Sequence, residues 1–125
     1  MSSERGSYRI VYGGGSGARF HLEGDRWPAV VADCSETGVR FQRAGDESRL
    51  LEPGERVTGH VQFCNGSRVR VTGRVLRVHG TEIAVHLDEL VIPFPEIMRE
   101  QMYLRRNYQV KRAPAGGDPA GRRNA

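Results

Sequence analysis

Sixteen glycines punctuate this chain, and most of them fall between short runs rich in Val, Phe and Ile. No other feature constrains the fold as much, because short β-branched runs divided by turn residues make strands and hairpins rather than long helices. Residues 19–22 and 27–33 flank Glu-Gly-Asp-Arg and are expected to form a hairpin, with 38–43 as the next strand. Residues 55–63 place Val57, Val61 and Phe63 on one face, and Asn65-Gly66 follows as the strongest hairpin signal in the chain. Over 68–78, Val69, Val71 and Val75 share one side while Arg68, Arg70 and Arg74 share the other. That alternation then slips, since Leu76 and Val78 have the opposite parity, which predicts a bulge near 73–76. Gly80-Thr81 leads into a last strand over 82–87 with Ile83, Val85 and Leu87 facing in. Strands at this spacing indicate a small antiparallel barrel or sandwich.

The periodicity changes after Pro93. At 100° per residue, Phe94, Ile97, Met98, Met102, Leu104 and Tyr108 occupy one half of a helical wheel. Glu96, Arg99, Glu100, Arg106 and Asn107 occupy the other half, so one amphipathic helix is expected over about 94–108. A chain of 125 residues holds one core. The expected organisation is a flexible arm over 1–7, a single domain over 8–110, and a disordered basic tail over 111–125 that lacks any apolar period.

Charge limits the partners. The chain has 19 Lys and Arg against 15 Asp and Glu, and 18 of those bases are Arg. The tail holds Lys111, Arg112, Arg122 and Arg123 against Asp118, which leaves residues 1–110 with 15 bases and 14 acids. A body so nearly neutral is a poor surface for a nucleic-acid polymer, whose affinity comes from phosphate neutralisation. The Arg bias has two readings, a codon preference or a surface that grips planar or phosphorylated ligands. No apolar run approaches the ~20 residues that span a bilayer. Met1-Ser-Ser-Glu-Arg offers no apolar leader, and Cys34 and Cys64 are too few for a disulfide framework. A cytoplasmic protein without a membrane partner is the expectation.

Catalytic patterns are missing. His21, His60, His79 and His86 show no metal-ligand spacing, and Ser35 lacks a nucleophile elbow. Gly13-Gly-Gly-Ser-Gly17 has no Gly-Lys-Ser/Thr ending and no helix after it. The chain is read as no enzyme, with no catalytic residue, no metal and no cofactor.

Two patterns remain. Asp33-Cys-Ser-Glu-Thr-Gly38 spells Asp-x-Ser-x-x-Gly between two strands, an arrangement expected by chance roughly 0.04 times at this composition. Arg5-Gly-Ser-Tyr-Arg9 spells Arg-x-x-x-Arg, which alone is common, but here it precedes the strand-borne Asp motif in a small β-rich domain.

With these motifs in this order, the chain resembles the PilZ domain family, bacterial receptors for the second messenger cyclic di-GMP. The resemblance runs from Arg5 to Tyr108 and includes Tyr8-Arg-Ile-Val-Tyr12 and Gly73-Arg-Val-Leu-Arg-Val78. It implies a mainly β fold, a small six-stranded antiparallel barrel with a C-terminal amphipathic helix. It also implies that ligand binding moves the N-terminal arm. Two positions depart from some members: Glu4 stands where an additional Arg accompanies a stacked ligand dimer, and Arg77 stands where Trp stacks on guanine. The implied role is a receptor or adaptor that binds cyclic di-GMP and signals to a protein effector. The alternative is a PilZ-like interaction scaffold that no longer binds nucleotide.

The chemistry of the ligand agrees. Cyclic di-GMP carries two phosphates and two guanines with O6 and N7 on one edge, and a guanidinium can grip either group bidentately. Arg5 and Arg9 can reach a base and a phosphate of one ligand. Asp33 can accept from guanine N1–H and the 2-amino group, with Ser35 as a compact donor and acceptor beside it. Gly38 allows close backbone approach. Arg77 is a further candidate, through stacking of its planar guanidinium on guanine.

Overall fold

The computed structural model describes residues 8–13, 17–47 and 49–109, apart from the side chains of 108 and 109. In chain order these residues form β1 (Ile10–Val11), β2 (Arg19–Leu22), β3 (Ala29–Ser35), β4 (Gly38–Gln42), β5 (Arg56–Gln62), β6 (Arg68–His79), β7 (Glu82–Leu90) and α1 (Phe94–Leu104). A π-helical turn over Arg105–Gln109 continues α1. The arm and basic tail expected from the sequence, and with them Arg5, lie outside the described residues.

Every strand pairing is antiparallel. The order β3-β2-β5-β6-β7-β4 closes when β4 returns to β3, so six strands make a barrel. Closure removes the exposed edges that an open sheet would present. β1 stays outside the closed ring and pairs with the far end of β3 through Ile10↔Cys34 and Val11↔Asp33. The barrel and the C-terminal helix are as the sequence indicated; the short outer strand β1 was not expected.

Period-two patterning explains the interior. On β5, Val57 and Val61 face in while Arg56, Thr58, His60 and Gln62 face out, and β2, β4 and β7 alternate likewise. Phe20 and Phe41 sit against each other at 4.5 Å between ring centroids, surrounded by buried Val31, Val61, Val71, Val75 and Ile83. Asn65-Gly66 makes the β5–β6 turn as expected, with Gly66 at φ +99° and Asn65 Oδ1 accepting the Ser67 N–H at 2.9 Å.

Pro95 in the first turn of α1 costs no hydrogen bond, and Glu96 suits the helix N-terminus. Ile97 is fully buried in the core. The sequence wheel errs at two places: Met102, assigned to the apolar half, is 51% exposed, and Glu100, assigned to the polar half, is 0% exposed. Its carboxylate takes four hydrogen bonds, from Tyr12 Oη (2.7 Å), the Cys64 N–H (2.9 Å), the Asn65 N–H (3.1 Å) and Asn65 Nδ2 (2.8 Å). Burial is tolerable because the charge is fully solvated by protein donors.

Candidate functional site

The site begins with a break in alternation on β3. Ala29 and Val31 face the core, and strict alternation would send Asp33 inward and Cys34 outward. Val31 instead pairs with Phe41 while Asp33 pairs with Arg40, which leaves Ala32 as an extra residue. This bulge reverses the faces beyond it: Cys34 enters the core at 0% exposure, and Asp33 turns to the outer side. The Ala32 carbonyl accepts the Tyr12 N–H at 2.9 Å, so the bulge also docks the N-terminal segment.

Two arginines hold Asp33. Arg9 Nη1 donates to Oδ1 at 2.9 Å, and Arg40 Nε donates to Oδ2 at 2.9 Å, with Arg40 Nη2 on the same oxygen. Arg40 Nη1 also donates to Glu82 Oε2. The Asp33 hydrogen bonds, and then Glu82, raise the Arg40 guanidinium above its ordinary range. Half of the Arg9 side chain remains exposed, whereas the Asp33 side chain is buried beneath its partners. Both carboxylate oxygens of Asp33 are therefore engaged by arginine.

These groups border a cleft of about 410 Å³ that is also lined by Ser35, Gly38, Arg77 and His86. Its size falls in the range of small-molecule sites. A second bulge aims Arg77 into it: Val75 pairs with Val85 and Arg77 with Ala84, so Leu76 is extra and Arg77 faces out. The slip in alternation after Val75 had indicated such a bulge. A second register shift lies between Thr72 and Gly73, where a Cβ on Gly73 would come within 2.0 Å of the His86 carbonyl oxygen. Only glycine permits that approach of backbones beneath the cleft. The acids that a surface Arg77 would neutralise are engaged elsewhere: Glu82 by Arg40, and Asp88 by Arg56 and Arg74.

The structure thus brings Arg9, Asp33, Ser35, Gly38 and Arg77 to one cleft. Arg40 was missed by sequence reasoning, although its signal was legible. A two-residue turn at Glu36-Thr37 pairs Ser35 with Gly38, and two steps back along each strand Asp33 meets Arg40. Burial raises both thiols, Cys34 and Cys64, to about 12, so each stays protonated. Among the described residues no cluster of His, Cys, Asp or Glu is arranged to hold a metal ion, and no helix is long and apolar enough to cross a membrane.

A closed six-stranded antiparallel barrel with a C-terminal helix and an Arg- and Asp-lined outer cleft defines a small mainly-β barrel domain. The PilZ domain family matches residues 5–102, and the chain belongs to that family, which comprises cyclic di-GMP receptor domains. Among solved structures, an uncharacterized protein of Legionella is similar at 15% identity and a TM-score of 0.49, covering 84% of this chain and 98% of that one. No curated protein matches the chain.

Proposed function

We propose that the chain binds cyclic di-GMP in the cleft beside Asp33, reorders its N-terminal segment around the ligand, and thereby signals to a protein partner. The observation that carries this reading is the convergence of Arg9, Asp33, Ser35, Gly38 and Arg77 on one cleft, from three separate parts of the chain. Gly38 supports it from another direction. Its φ lies outside the left-handed region, and a Cβ there would meet only ordinary contacts, Ser35 Oγ at 3.6 Å and Val85 O at 3.7 Å. The fold does not demand glycine at this position, so its lack of a side chain serves the open cleft.

Asp33 and its two arginines give the switch its chemistry. A guanine offering N1–H and its 2-amino group takes over the Asp33 carboxylate, and the displaced guanidinium of Arg9 turns to a phosphate or to guanine O6 and N7. Arg5, the first arginine of the Arg-x-x-x-Arg motif, joins Arg9 in holding the ligand. Because Tyr12 is tied to Glu100 and Tyr8 packs edge-on against Phe94 at 5.6 Å, a shift of the Arg9 segment reaches α1. Signalling then takes the form of a rearranged surface at the helix end of the barrel.

Isothermal titration of the chain with cyclic di-GMP, beside single-stranded DNA, tests the proposal. Saturable heat with cyclic di-GMP and none with DNA is expected. Absence of binding to the nucleotide would leave an interaction scaffold in its place.

A further inference from the structure

The outer face formed by β2, β5 and the first residues of β6, Arg68–Arg70, shares no residue with the cleft and carries its own charge pattern. Strand register aligns His21, His60 and Arg70 in one row across the three strands. The next row sets Gln62 between Arg19 and Arg68. The His21 and His60 rings stack at 4.6 Å between centroids and 12° between planes. Arg68 Nη2 lies 2.8 Å from His60 Nε2, and since guanidinium only donates, that nitrogen is the acceptor of a neutral imidazole. Arg70 is 65% exposed, and its salt bridge is a long one, 4.0 Å to the exposed Glu23.

Like charges facing each other across an antiparallel pair are destabilising. Where arginines do oppose each other on this sheet, the fold relieves that cost. Arg56 opposes Arg74, and Asp88 and Glu89 of β7 reach over to both or to one of them. Among the described residues, Arg68 has no carboxylate partner and Arg70 has only the distant Glu23. Cationic groups that the chain itself leaves under-neutralised favour an anionic partner.

We infer that the His21–His60–Arg68–Arg70 face is a docking surface for an acidic segment of a partner protein. Carboxylates match the forked donors of Arg68 and Arg70, and a bound carboxylate would let His60 take up a proton and become a further donor. A nucleic-acid strand is a poorer match: this face holds no Phe, Tyr or Trp on which bases could stack, and residues 1–110 carry nearly balanced charge. The inference goes beyond nucleotide binding and does not depend on it.

The test uses fluorescein-labelled decaglutamate, read by fluorescence anisotropy with the full chain at low ionic strength. Binding is expected, with about tenfold loss in the Arg68→Gln/Arg70→Gln double variant and no loss in Arg9→Ala. A thermal melt confirms that the double variant is folded, and His60→Gln serves as a second, milder variant with a smaller loss. The double variant keeps the basic tail, so undiminished binding there would assign the peptide to the tail and overturn the inference. Absence of peptide binding, or tighter binding of an oligothymidylate of equal length, would overturn it too.

Discussion

Tyr12 Oη donates a 2.7 Å hydrogen bond to Glu100 Oε2, joining the segment after β1 to the middle of α1 across 88 positions of sequence. The same carboxylate receives the Cys64 and Asn65 N–H groups at the β5–β6 turn. One buried charge therefore binds the N-terminal segment, a barrel turn and the helix into one unit. Burial, then the nearby Cys34 and Glu100, lift the Tyr12 hydroxyl far above its ordinary range and keep it a donor.

Removing either end of that bond tests its weight. Tyr12→Phe is expected to cost about 1.5–3 kcal/mol, as for hydrogen bonds to charged groups, and Glu100→Ala about 3 kcal/mol or more, because several buried donors lose their acceptor. Glu100→Gln falls between, since its amide N–H would face donors. Urea denaturation measures all three. A stability change in Glu100→Ala within about 0.5 kcal/mol would show that water replaces the carboxylate freely.

At the cleft, Arg5→Ala and Arg9→Ala are each expected to weaken cyclic di-GMP binding by about 1–3 kcal/mol. Stability should move little, because the Arg9 side chain is half exposed. Titration calorimetry with a parallel melt separates the two effects. Unchanged affinity in the double variant would remove both residues from the site.

Asp33 is expected to select guanine, since adenine has neither N1–H nor a 2-amino group. Cyclic di-AMP should bind far more weakly than cyclic di-GMP, and Asp33→Ala should narrow the difference. Arg40→Ala frees one carboxylate oxygen of Asp33 from its protein partner and should raise affinity for cyclic di-GMP relative to Asp33→Ala. Equal binding of both nucleotides by the unaltered chain would mean that phosphate charge alone is read.

Arg77 should contribute by stacking. Arg77→Trp is expected to keep or improve affinity for cyclic di-GMP, and Arg77→Ala to lose about 1 kcal/mol or more. If calorimetry finds both variants equal to the unaltered chain, Arg77 borders the cleft without touching ligand.

His60 gives a pH signature. Burial, followed by the charges of Arg68, His21 and Arg70, lowers its pKa below the ordinary 6.5. In the unfolded chain the ring takes up a proton near pH 6.5 while the folded ring stays neutral, so this residue's contribution to stability falls as pH drops through 6.5 to the folded value. An NMR titration should place the His60 midpoint below 6.5, and Arg68→Ala should move it upward. A midpoint at or above 6.5 would refute the repulsion on this face.

Much of the barrel was legible in the sequence because strand formation depends on local alternation and on turn residues such as Asn65-Gly66. The motif residues were legible by type and order, and the slip after Val75 foretold that Arg77 leaves the core side. The bulge at Ala32 was not legible, since Ala29, Val31 and Asp33 share a parity and nothing local distinguishes an extra residue between them. Its cause is tertiary: β3 must satisfy β4 on one edge and the Tyr12 N–H on the other. Glu100 was misplaced for the same kind of reason. A helical wheel ranks side chains by polarity, whereas burial was decided by four donors that only the closed barrel brings to one point. Local periodicity thus determined which strands and helix form, and long-range hydrogen bonding decided which way Asp33 and Glu100 face.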